Sequence, residues 1–597
     1  SWATEDSYYV TNIRGYDLDF YETYVPPTED DKSKAEIKDG SQIPSGGIYA
    51  KNTSQTDTYT VQNSIEFNHV FKEDHVVNLM AVSEIRQIKT DGLSATYYGW
   101  LPERGETFSP AITTGYTNLL ATGALNPTLD KSTKNYVSWI FTGSYSYRDK
   151  LLLNGNVRMD GSNQFGSNPK YRFLPIWSIS GKYTLSKENF LKDSDIISYL
   201  AFRASYGIQG NVDGGTSPDL VLKIGSQNSI TGHNESTVAY LPNPDLRWEK
   251  TESFNLGIDL ALFSDRISVV ADVYKKRGTD MIMNKNVSQS NGVQTVKINA
   301  GKVDNSGVEV GFRFVPFRTK DWDTALEINY SYNRNKLIDA NEALVTNEDK
   351  LAGNGQVVGE ALGTLYSYDY VGLDPESGYP VFRDMYGETT HENDNGKIIP
   401  NYTLWSDEVN LVKSGVMTAP SQGGINLSVG WKGLRLSGSF TYQFGGVNRL
   451  SGIYGSNSNR VYDPMSNVSK EYTKRWRKSG DEAKTDIPVL YNSRVFNKLS
   501  LRTYMTGKTE TKGTTMYDKS NVRVAKTDFL KMRSLSLNYV IPTKFISKWR
   551  LDQCTIGLQA TNLFTWADKR WEGSDPEAAF ATSPLTRTYT LNLNITF

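Results

Sequence analysis

Three observations predict that this sequence folds as an all-β protein, an antiparallel up-and-down transmembrane β-barrel. Many segments alternate between apolar and polar side chains, which is typical of strands with one apolar face. Short and long connections alternate between these segments, as they do in barrels of the outer-membrane type. The chain of 597 residues also contains 36 Tyr and 12 Trp, the residue types that favour a membrane–water interface.

The alternation is clearest in the last eleven residues, RTYTLNLNITF. Tyr589, Leu591, Leu593, Ile595 and Phe597 share one face, and Thr and Asn residues occupy the other. Strands send successive side chains to opposite faces, so one face is apolar throughout and is expected to contact lipid. The same pattern recurs in FNLGIDLALF, ISVVADVY, VEVGFRF, WDTALEINYSYN, GGINLSVGW, LRLSGSFTYQF and CTIGLQATNLF.

The connections predict how the strands are arranged. Short turns are expected near 72–75, 148–150, 264–266, 317–321 and 431–433, whereas long loops are expected at about 87–135, 210–251, 277–303, 335–422, 446–525 and 563–585. About fifteen strands are predicted, and a sixteenth is expected in the first twenty residues. The short turns would then be periplasmic and the long loops extracellular, with the C-terminus at Phe597 on the periplasmic side. The segment 186–199 is predicted to hold a short helical turn capped by Ser186.

Composition excludes several function classes. Net charge is −1 without long runs of one sign, which argues against nucleic-acid binding. One Cys and four His make a multi-ligand metal site improbable. No nucleophile elbow or pair of carboxylates placed for hydrolysis is recognisable, so no enzyme is predicted. A large soluble all-β protein is the alternative, but no blade-length repeat occurs and the strands are longer than soluble ones usually are.

Six stretches carry a family resemblance. The segment LPNPDLRWEKTESFNLGIDLALFSDRISVVADVYKKRGTDMI (241–282) resembles a strand pair of the SusC/RagA-type TonB-dependent transporters of Bacteroidetes outer membranes. The segment 159–191, beginning MDGSNQFG, is similar to a second signature of that family. Further similar stretches follow in the family's order: GLDPESGYPVF (372–382), Arg475-Trp476 with 485–488, DFLKMRSLSLNYVIP (528–542) and ATNLFTW with SDPE (560–577).

The resemblance implies a fold and partners. Members form 22-stranded barrels closed by an N-terminal plug domain, driven by the TonB–ExbB–ExbD system and covered by a SusD-like surface lipoprotein. This sequence shows no plug domain or TonB box, and its strand count is about six short. It is therefore expected to be the C-terminal portion of the barrel, working with a plug-bearing N-terminal segment or chain and embedded in outer-membrane lipid.

Two sets of residues are candidates for contact with cargo, and each set has a second, structural interpretation. Polar residues predicted to face the lumen are Arg158, Asp160, Arg203, Glu327 and Asn329, which would contact cargo or form a solvated or plug-packed wall. Loop aromatics would bind glycans or pack against the lid and other loops: Tyr97, Tyr98, Trp100, Tyr240, Tyr366 to Tyr370, Trp405, Tyr454, Trp566 and Trp571. HENDNGK (391–397) has oxygen ligands but not the spacing of a calcium loop, and Cys554 is expected to be a buried apolar residue.

These features predict active import of glycans or oligopeptides across the outer membrane. No catalytic, cofactor or metal site is assigned, and the ligand-contacting residues are unknown. A passive porin and a structural or adhesive surface barrel are the alternatives. A plug and a lid would distinguish the importer from both.

Overall fold

A computed structural model supplies the three-dimensional structure of the chain. It describes residues 2–9, 23–24, 37–38, 47–108, 125–163, 173–211, 219–227, 230–288, 290, 292–293, 295–340, 345–392, 396–453, 469–490, 510–511, 513–571, 574–578 and 585–596. Tyr454 and Phe597, which the sequence analysis singled out, lie outside these residues.

Sixteen long strands form the wall. They are β1 (Trp2–Tyr9), β2 (Gly47–Phe71), β3 (His75–Leu101), β4 (Thr128–Tyr147), β5 (Leu151–Ser162), β6 (Phe173–Thr184), β7 (Ile197–Asn211), β8 (Glu249–Leu262), β9 (Ile267–Asn286), β10 (Thr295–Phe314), β11 (Trp322–Asp339), β12 (Ser421–Trp431), β13 (Leu434–Phe444), β14 (Phe529–Val540), β15 (Gln553–Thr561) and β16 (Thr588–Thr596). Each pairs antiparallel with the next along the chain. The predicted all-β barrel meander is therefore confirmed, including its sixteenth strand near the start of the chain.

The connections divide the wall into two ends. At the short-turn end the strands are joined by residues 72–74, 148–150, 185–196, 263–266, 315–321, 432–433 and 541–552. The turn at Lys432 and Gly433 has positive φ at both residues (43° and 88°), which suits a two-residue hairpin between twisted strands. The other end, here called the long-loop end, carries every other connection.

Several strands run further toward the long-loop end than the alternation indicates. β2 and β3 have 25 and 27 residues, about two and a half times the number that a tilted membrane strand needs. Part of the segments 87–135 and 277–303 is consequently strand. In these extensions the backbone groups of β2 and β3 pair with each other, so both strands continue past the length that spans a membrane without leaving those groups unpaired.

The two faces of the wall differ as the alternation predicts. Phe254 and Leu256 on β8, and Leu591 and Leu593 on β16, are exposed on the outer face. Between them on the inner face lie Asn255, Gly257, Asn592 and similar small or polar residues. An exposed apolar outer surface and a polar interior are the inverse of a soluble protein and suit a wall in lipid.

Shorter elements accompany the wall. The remaining strands are Thr23–Tyr24, Ile37–Lys38, Thr107–Phe108, Val221–Gln227, Asn234–Tyr240, Thr364–Tyr368, Tyr370–Leu373, Pro380–Phe382, Thr390–Glu392, Ile398–Pro400, Leu404–Trp405, Leu411–Val416, Val447–Arg449, Glu510–Thr511, Val524–Lys526 and Thr565–Ala567. The α-helices are α1 (Asn347–Ala352), α2 (Gly513–Asp518) and α3 (Thr543–Ile546), and the 3₁₀ helices are Pro102–Arg104, Leu185–Lys187, Lys470–Lys474, Asp481–Ala483, Asn521–Arg523, Ser547–Trp549, Lys569–Trp571 and Pro576–Ala578. No helix in the described ranges is long and apolar enough to cross a membrane.

One local prediction was wrong in detail. The helical turn expected in 186–199 is the 3₁₀ helix Leu185–Lys187, and it begins after Thr184 rather than after Ser186. Neither residue caps it through a side-chain hydrogen bond. β6 pairs with β7 as far as Thr184, and the chain passes directly from the strand into the turn at Leu185. Ser186 therefore lies within the turn and not before it.

Among the described residues, the largest buried apolar cluster lies in the loops and not in the wall. Residues from segments 347–416, 447–453 and 469–525 form this cluster: Leu351, Tyr368, Phe382, Leu404, Ile453, Met516 and Tyr517. We call the structure built from these three segments the loop layer. Its compact core fixes the long loops into a defined surface above the long-loop end of the wall.

Candidate lumen wall and loop layer

The four charged residues predicted to face the lumen are paired with other wall residues. The Arg158 guanidinium lies 2.7 Å from a carboxylate oxygen of Asp160. The Ser138 hydroxyl donates to the same carboxylate at 2.5 Å. Glu327 accepts a hydrogen bond from Arg313 on the neighbouring strand at 3.2 Å. These contacts favour the wall interpretation, because each charge already has a partner within the barrel.

Arg203 forms the most connected of these contacts. Its guanidinium lies 2.9 Å from Asp259 and 3.0 Å from Asp272, so it links β7, β8 and β9. Arg203 pairs in register with Gly257, and Gly257 pairs with Asp272. A Cβ atom on Gly257 would lie only 2.8 Å from the Arg203 guanidinium carbon. The glycine therefore gives the arginine its path across the middle strand.

A second arginine in the wall reaches an aspartate across a glycine in the same way. Arg435 on β13 pairs in register with Gly430 on β12, which pairs with Asp323 on β11. The Arg435 guanidinium crosses the glycine to lie 2.6 Å from the Asp323 carboxylate. Two Arg–Gly–Asp triplets in register thus connect strands that are not hydrogen-bonded neighbours, and they stiffen the inner face.

Gly257→Ala is expected to destabilise the barrel by about 1.5–3 kcal/mol, the usual range for a hydrogen bond to a charged group. The added methyl would lie 2.6 Å from a carboxylate oxygen of Asp272 and force Arg203 away from it. The heat-unfolding midpoint of the full-length protein in mild detergent measures this. Gly311→Ala on β10 is the matched control, because its nearest neighbour would be an ordinary 3.9 Å away. Equal midpoints for the two variants would contradict the role of the triplet.

Four of the predicted loop aromatics are structural. Trp100, Tyr368, Trp405 and Trp571 are buried. The Trp571 ring donates its N–H to the Lys526 carbonyl at 2.8 Å. These rings are packed against protein and do not offer a face to a sugar. Tyr97, Tyr240 and Trp566 are exposed, and they remain available for contact with a partner or cargo.

A buried ion cluster at the long-loop end was not predicted. Lys531, on β14, is only 1% exposed, and its ammonium lies 2.6 Å from Asp575 and 2.8 Å from Glu577. Arg533 also donates to Glu577. Segment 565–578 is thereby fastened to the wall. Both partners lie inside stretches quoted for the family resemblance, but only the fold brings them together.

This cluster should make the segment 565–578 sensitive to acid. Burial acts to raise the pKa of Glu577, but its bonds to Arg533 and Lys531 outweigh burial and hold that pKa below its usual value of 4.5. The Arg570 guanidinium likewise lowers the pKa of Asp568 below 3.8. Groups with a depressed pKa in the folded state stabilise it above the unfolded pKa, and this stabilisation is lost as the pH falls through the folded value.

We therefore expect segment 565–578 to lose hydrogen-exchange protection between pH 7 and about pH 3. Protection factors, which correct for the intrinsic exchange rate at each pH, measure this in the full-length protein. Glu577→Gln is expected to weaken the dependence because the side chain no longer titrates. Unchanged protection in the wild type at both pH values would contradict the prediction.

Two arginines organise the loop layer, and sequence reasoning missed both. Arg523 is 2% exposed. It donates to both carboxylate oxygens of Glu471 and to the Ser451 carbonyl. Arg449 donates to the carbonyls of Leu351 and Tyr366 at 2.6 and 2.9 Å. Burial lowers the pKa of Arg449 to about 10. No local pattern distinguishes these arginines from exposed ones.

The weaker site candidates show no assembled site among the described residues. His391 and Asn401 are hydrogen-bonded at 2.8 Å, while residues 393–395 of HENDNGK lie outside the described ranges. Among the residues that the structure describes, no group of His, Cys, Asp or Glu could hold a metal ion. Cys554 is buried, as predicted, and makes no disulfide.

Comparison with known proteins identifies the family. Residues 2–595 match the family model described as TonB dependent receptor-like, beta-barrel. The chain belongs to this family. It is accordingly part of an outer-membrane β-barrel, in agreement with the prediction from strand pattern and connections.

Individual relatives refine the assignment. The chain is 24% identical over 607 residues to TonB-dependent receptor P26 of Formosa agariphila, covering 95% of this chain and 56% of that receptor. It is 26% identical over 275 residues to TonB-dependent receptor SusC of Bacteroides thetaiotaomicron, covering 42% of this chain and 27% of SusC. The resemblance to SusC/RagA-type transporters is thereby confirmed. The chain spans about half the length of the curated relatives that it matches over most of its own length.

Solved structures agree on the fold. A chain of the RagAB peptide transporter superposes with a TM-score of 0.72 at 22% identity, covering 92% of this chain and 56% of that one. The same assembly in a state described as open-open gives 0.71. These likenesses support the barrel architecture that the strand pairing already shows.

Proposed function

We propose that this chain forms the greater part of the barrel of an active importer for large nutrients, glycans or oligopeptides, in the outer membrane. The observation that carries the proposal is the match of nearly the whole chain to the TonB-dependent receptor barrel family. TonB–ExbB–ExbD would supply the energy, and a SusD-like surface lipoprotein would cover the loop layer. The short turns and the C-terminus would face the periplasm.

The loop layer supports a role in covering cargo. Its buried core, the buried Arg523 and the half-buried Arg449 hold long segments in one arrangement. A passive porin needs only an open lumen with short loops, so a large ordered layer above the barrel suits capture between two proteins. The peptide importer among the structural neighbours is consistent with oligopeptides. Glycans stay in the proposal because the resemblance to SusC/RagA-type transporters implies both cargo classes.

A plug-bearing segment is also proposed, on the basis of strand edges. β16 has only β15 as a neighbour within the described ranges, and its side chains are exposed on both faces. β2 pairs with β1 only over residues 48–55, so its remainder presents a second free edge among the described strands. Unpaired backbone groups in a bilayer cost several kcal/mol each. We propose that further strands, carried by the segment that brings the plug, pair with these edges.

The test is purification of the full-length gene product from its native outer membrane in mild detergent, with identification of everything that remains bound. We expect a plug-bearing segment and a SusD-like lipoprotein. Uptake of a panel of labelled oligopeptides and glycans by cells should require TonB. A barrel that purifies without plug or lipoprotein and conducts passively in planar bilayers would reject active import and favour a porin. A barrel with neither partner and without conductance would favour an adhesive protein.

A further inference from the structure

Three neighbouring turns at the short-turn end form one sector of the barrel rim. They are residues 315–321, 432–433 and 541–552, and they join the consecutive strands β10 to β15. Trp322 pairs in register with Trp431, and the Val540 amide donates to the Gly433 carbonyl at 2.9 Å, so the turns are adjacent. We call this surface, residues 315–323, 431–435 and 541–552, the basic sector.

The charge of the basic sector differs from that of the rest of the rim. It contains seven basic residues, Arg318, Lys320, Lys432, Arg435, Lys544, Lys548 and Arg550, and three acidic ones, Asp321, Asp323 and Asp552. The turns 72–75, 148–150, 185–196 and 263–266 together contain six basic and seven acidic residues. One side of the same rim is thus cationic and the other is close to neutral.

Ion pairing widens this difference. In the other turns three of the six cations form ion pairs, since Arg148 lies 2.7 Å from Asp74, Lys150 3.0 Å from Glu188 and Lys187 3.5 Å from Asp149. In the basic sector Arg435 pairs with Asp323. In turn 541–552, Lys544, Lys548 and Arg550 are exposed and make no ion pair with any residue in the described part of the chain. Three neighbouring cations therefore present their charge outward.

Apolar rings accompany these cations. Phe545 is 60% exposed and Trp549 is 74% exposed, and they lie four residues apart in α3 and the 3₁₀ helix Ser547–Trp549. Trp322 and Trp431 continue the aromatic surface with ring centroids 6.1 Å apart. Exposed aromatic rings beside cations are typical of a segment seated at a membrane interface, with rings at the headgroup level and cations near phosphate.

The position of the helical turn also fits an interface. Cys554 shares the outer-facing side of β15 with Ile556 and Leu558, which are exposed, but Cys554 itself is only 7% exposed. α3 contacts this strand, and its Ile546 is buried. We infer that α3 lies over the outer face of β15 at the rim, where the lipid headgroups of one leaflet would surround it.

We propose that the basic sector binds the headgroups of anionic phospholipids in the leaflet at the short-turn end. Phe545 and Trp549 enter the interface, and Lys544, Lys548 and Arg550 contact the lipid phosphates. The site anchors one side of the barrel to anionic lipid, and it is independent of cargo. It depends on the proposed orientation only for the identity of the leaflet, which would be the periplasmic one.

The experiment measures lipid retention by the full-length protein in nanodiscs and by native mass spectrometry. Nanodiscs contain phosphatidylethanolamine with or without 20–30% phosphatidylglycerol, a range that supplies anionic lipid in excess. We expect the wild type to retain phosphatidylglycerol after detergent exchange. The triple variant Lys544→Gln/Lys548→Gln/Arg550→Gln should bind it roughly 10- to 100-fold more weakly, since each cation near an anionic surface contributes a few-fold. Millimolar inorganic phosphate should not compete.

Matched variants in a neutral turn make the test specific. Lys187→Gln/Lys192→Gln removes two cations from the turn 185–196, and Phe190→Ser removes a ring that is 73% exposed. Both should leave lipid retention unchanged, whereas Phe545→Ser/Trp549→Ser should weaken it. Equal retention by the triple variant and the wild type would overturn the proposal, as would an equal loss in the control variants or competition by free phosphate. Lipid retention is scored on purified protein, so its failure is distinct from a failure of cargo uptake.

Discussion

Lys531→Ala in the full-length protein is expected to release segment 565–578 from the wall and to destabilise the folded barrel by roughly 3–5 kcal/mol. The ammonium group is buried between Asp575 and Glu577. Its removal leaves the nearly buried Asp575 carboxylate without its cation and places it near a second carboxylate. Burying an uncompensated charge costs far more than losing an exposed ion pair.

The heat-unfolding midpoint and the hydrogen-exchange protection of residues 565–578 measure this effect together. Lys569→Ala removes an exposed lysine from the same segment and is the matched control. It should change neither quantity appreciably. Replacing the partners together, as Lys531→Met/Asp575→Asn, should cost less than Lys531→Ala, because no unpaired charge remains at Asp575. If Lys531→Ala behaved like Lys569→Ala, the cluster would not hold the segment.

Arg523→Ala is the second large effect that we expect, and it should act on the loop layer and not on the wall. The guanidinium is 2% exposed, binds both carboxylate oxygens of Glu471 and lies 5.9 Å from the centroid of the Tyr517 ring. Its loss leaves Glu471 unpaired and opens a cavity beside a fully buried tyrosine. A cost of about 3–5 kcal/mol is expected from the buried ion pair.

Proteolysis of the loop layer, compared with the heat-unfolding midpoint of the barrel, separates the two regions. Arg523→Ala should accelerate cleavage within 469–525 while the wall strands keep their protection. Arg477→Ala, an exposed arginine in the same layer, is the control. Arg523→Met/Glu471→Gln should recover part of the loss. Loss of protection in the wall strands of Arg523→Ala would show that layer and wall unfold as one unit.

The effects expected for Lys531→Ala and Arg523→Ala reflect two parts of the molecule that are stabilised in different ways. The wall is held by continuous strand pairing and by triplets such as Arg203–Gly257–Asp272, whereas the loop layer has its own apolar core and the buried Arg523. Segment 565–578 is fastened to β14 through Lys531. If the chain is part of an importer, a loop layer that is stabilised separately from the wall would present a fixed surface to a lid without any change in the wall.

The sequence by itself determined the architecture of the wall. Strand alternation has a period of two, and it is written in local residue order, so FNLGIDLALF and RTYTLNLNITF disclose both the strand and its outward face. The number of strands, their antiparallel order and the sorting of short and long connections followed from the same signal. The family resemblance likewise rests on local stretches, and the comparisons confirmed it.

Only the tertiary structure decided which polar residues are partners. Arg203 and Asp272 are 69 residues apart in the chain, and they meet because strand register sets Gly257 between them. Lys531 and Asp575 are 44 residues apart, and burial turns them from ordinary charged residues into a structural cluster. Strand register and burial arise from contacts between segments that are distant in the chain. No periodic pattern in the local residue order predicts them. The sequence therefore discloses which face a residue occupies, whereas its electrostatic partner depends on the assembled wall and loops.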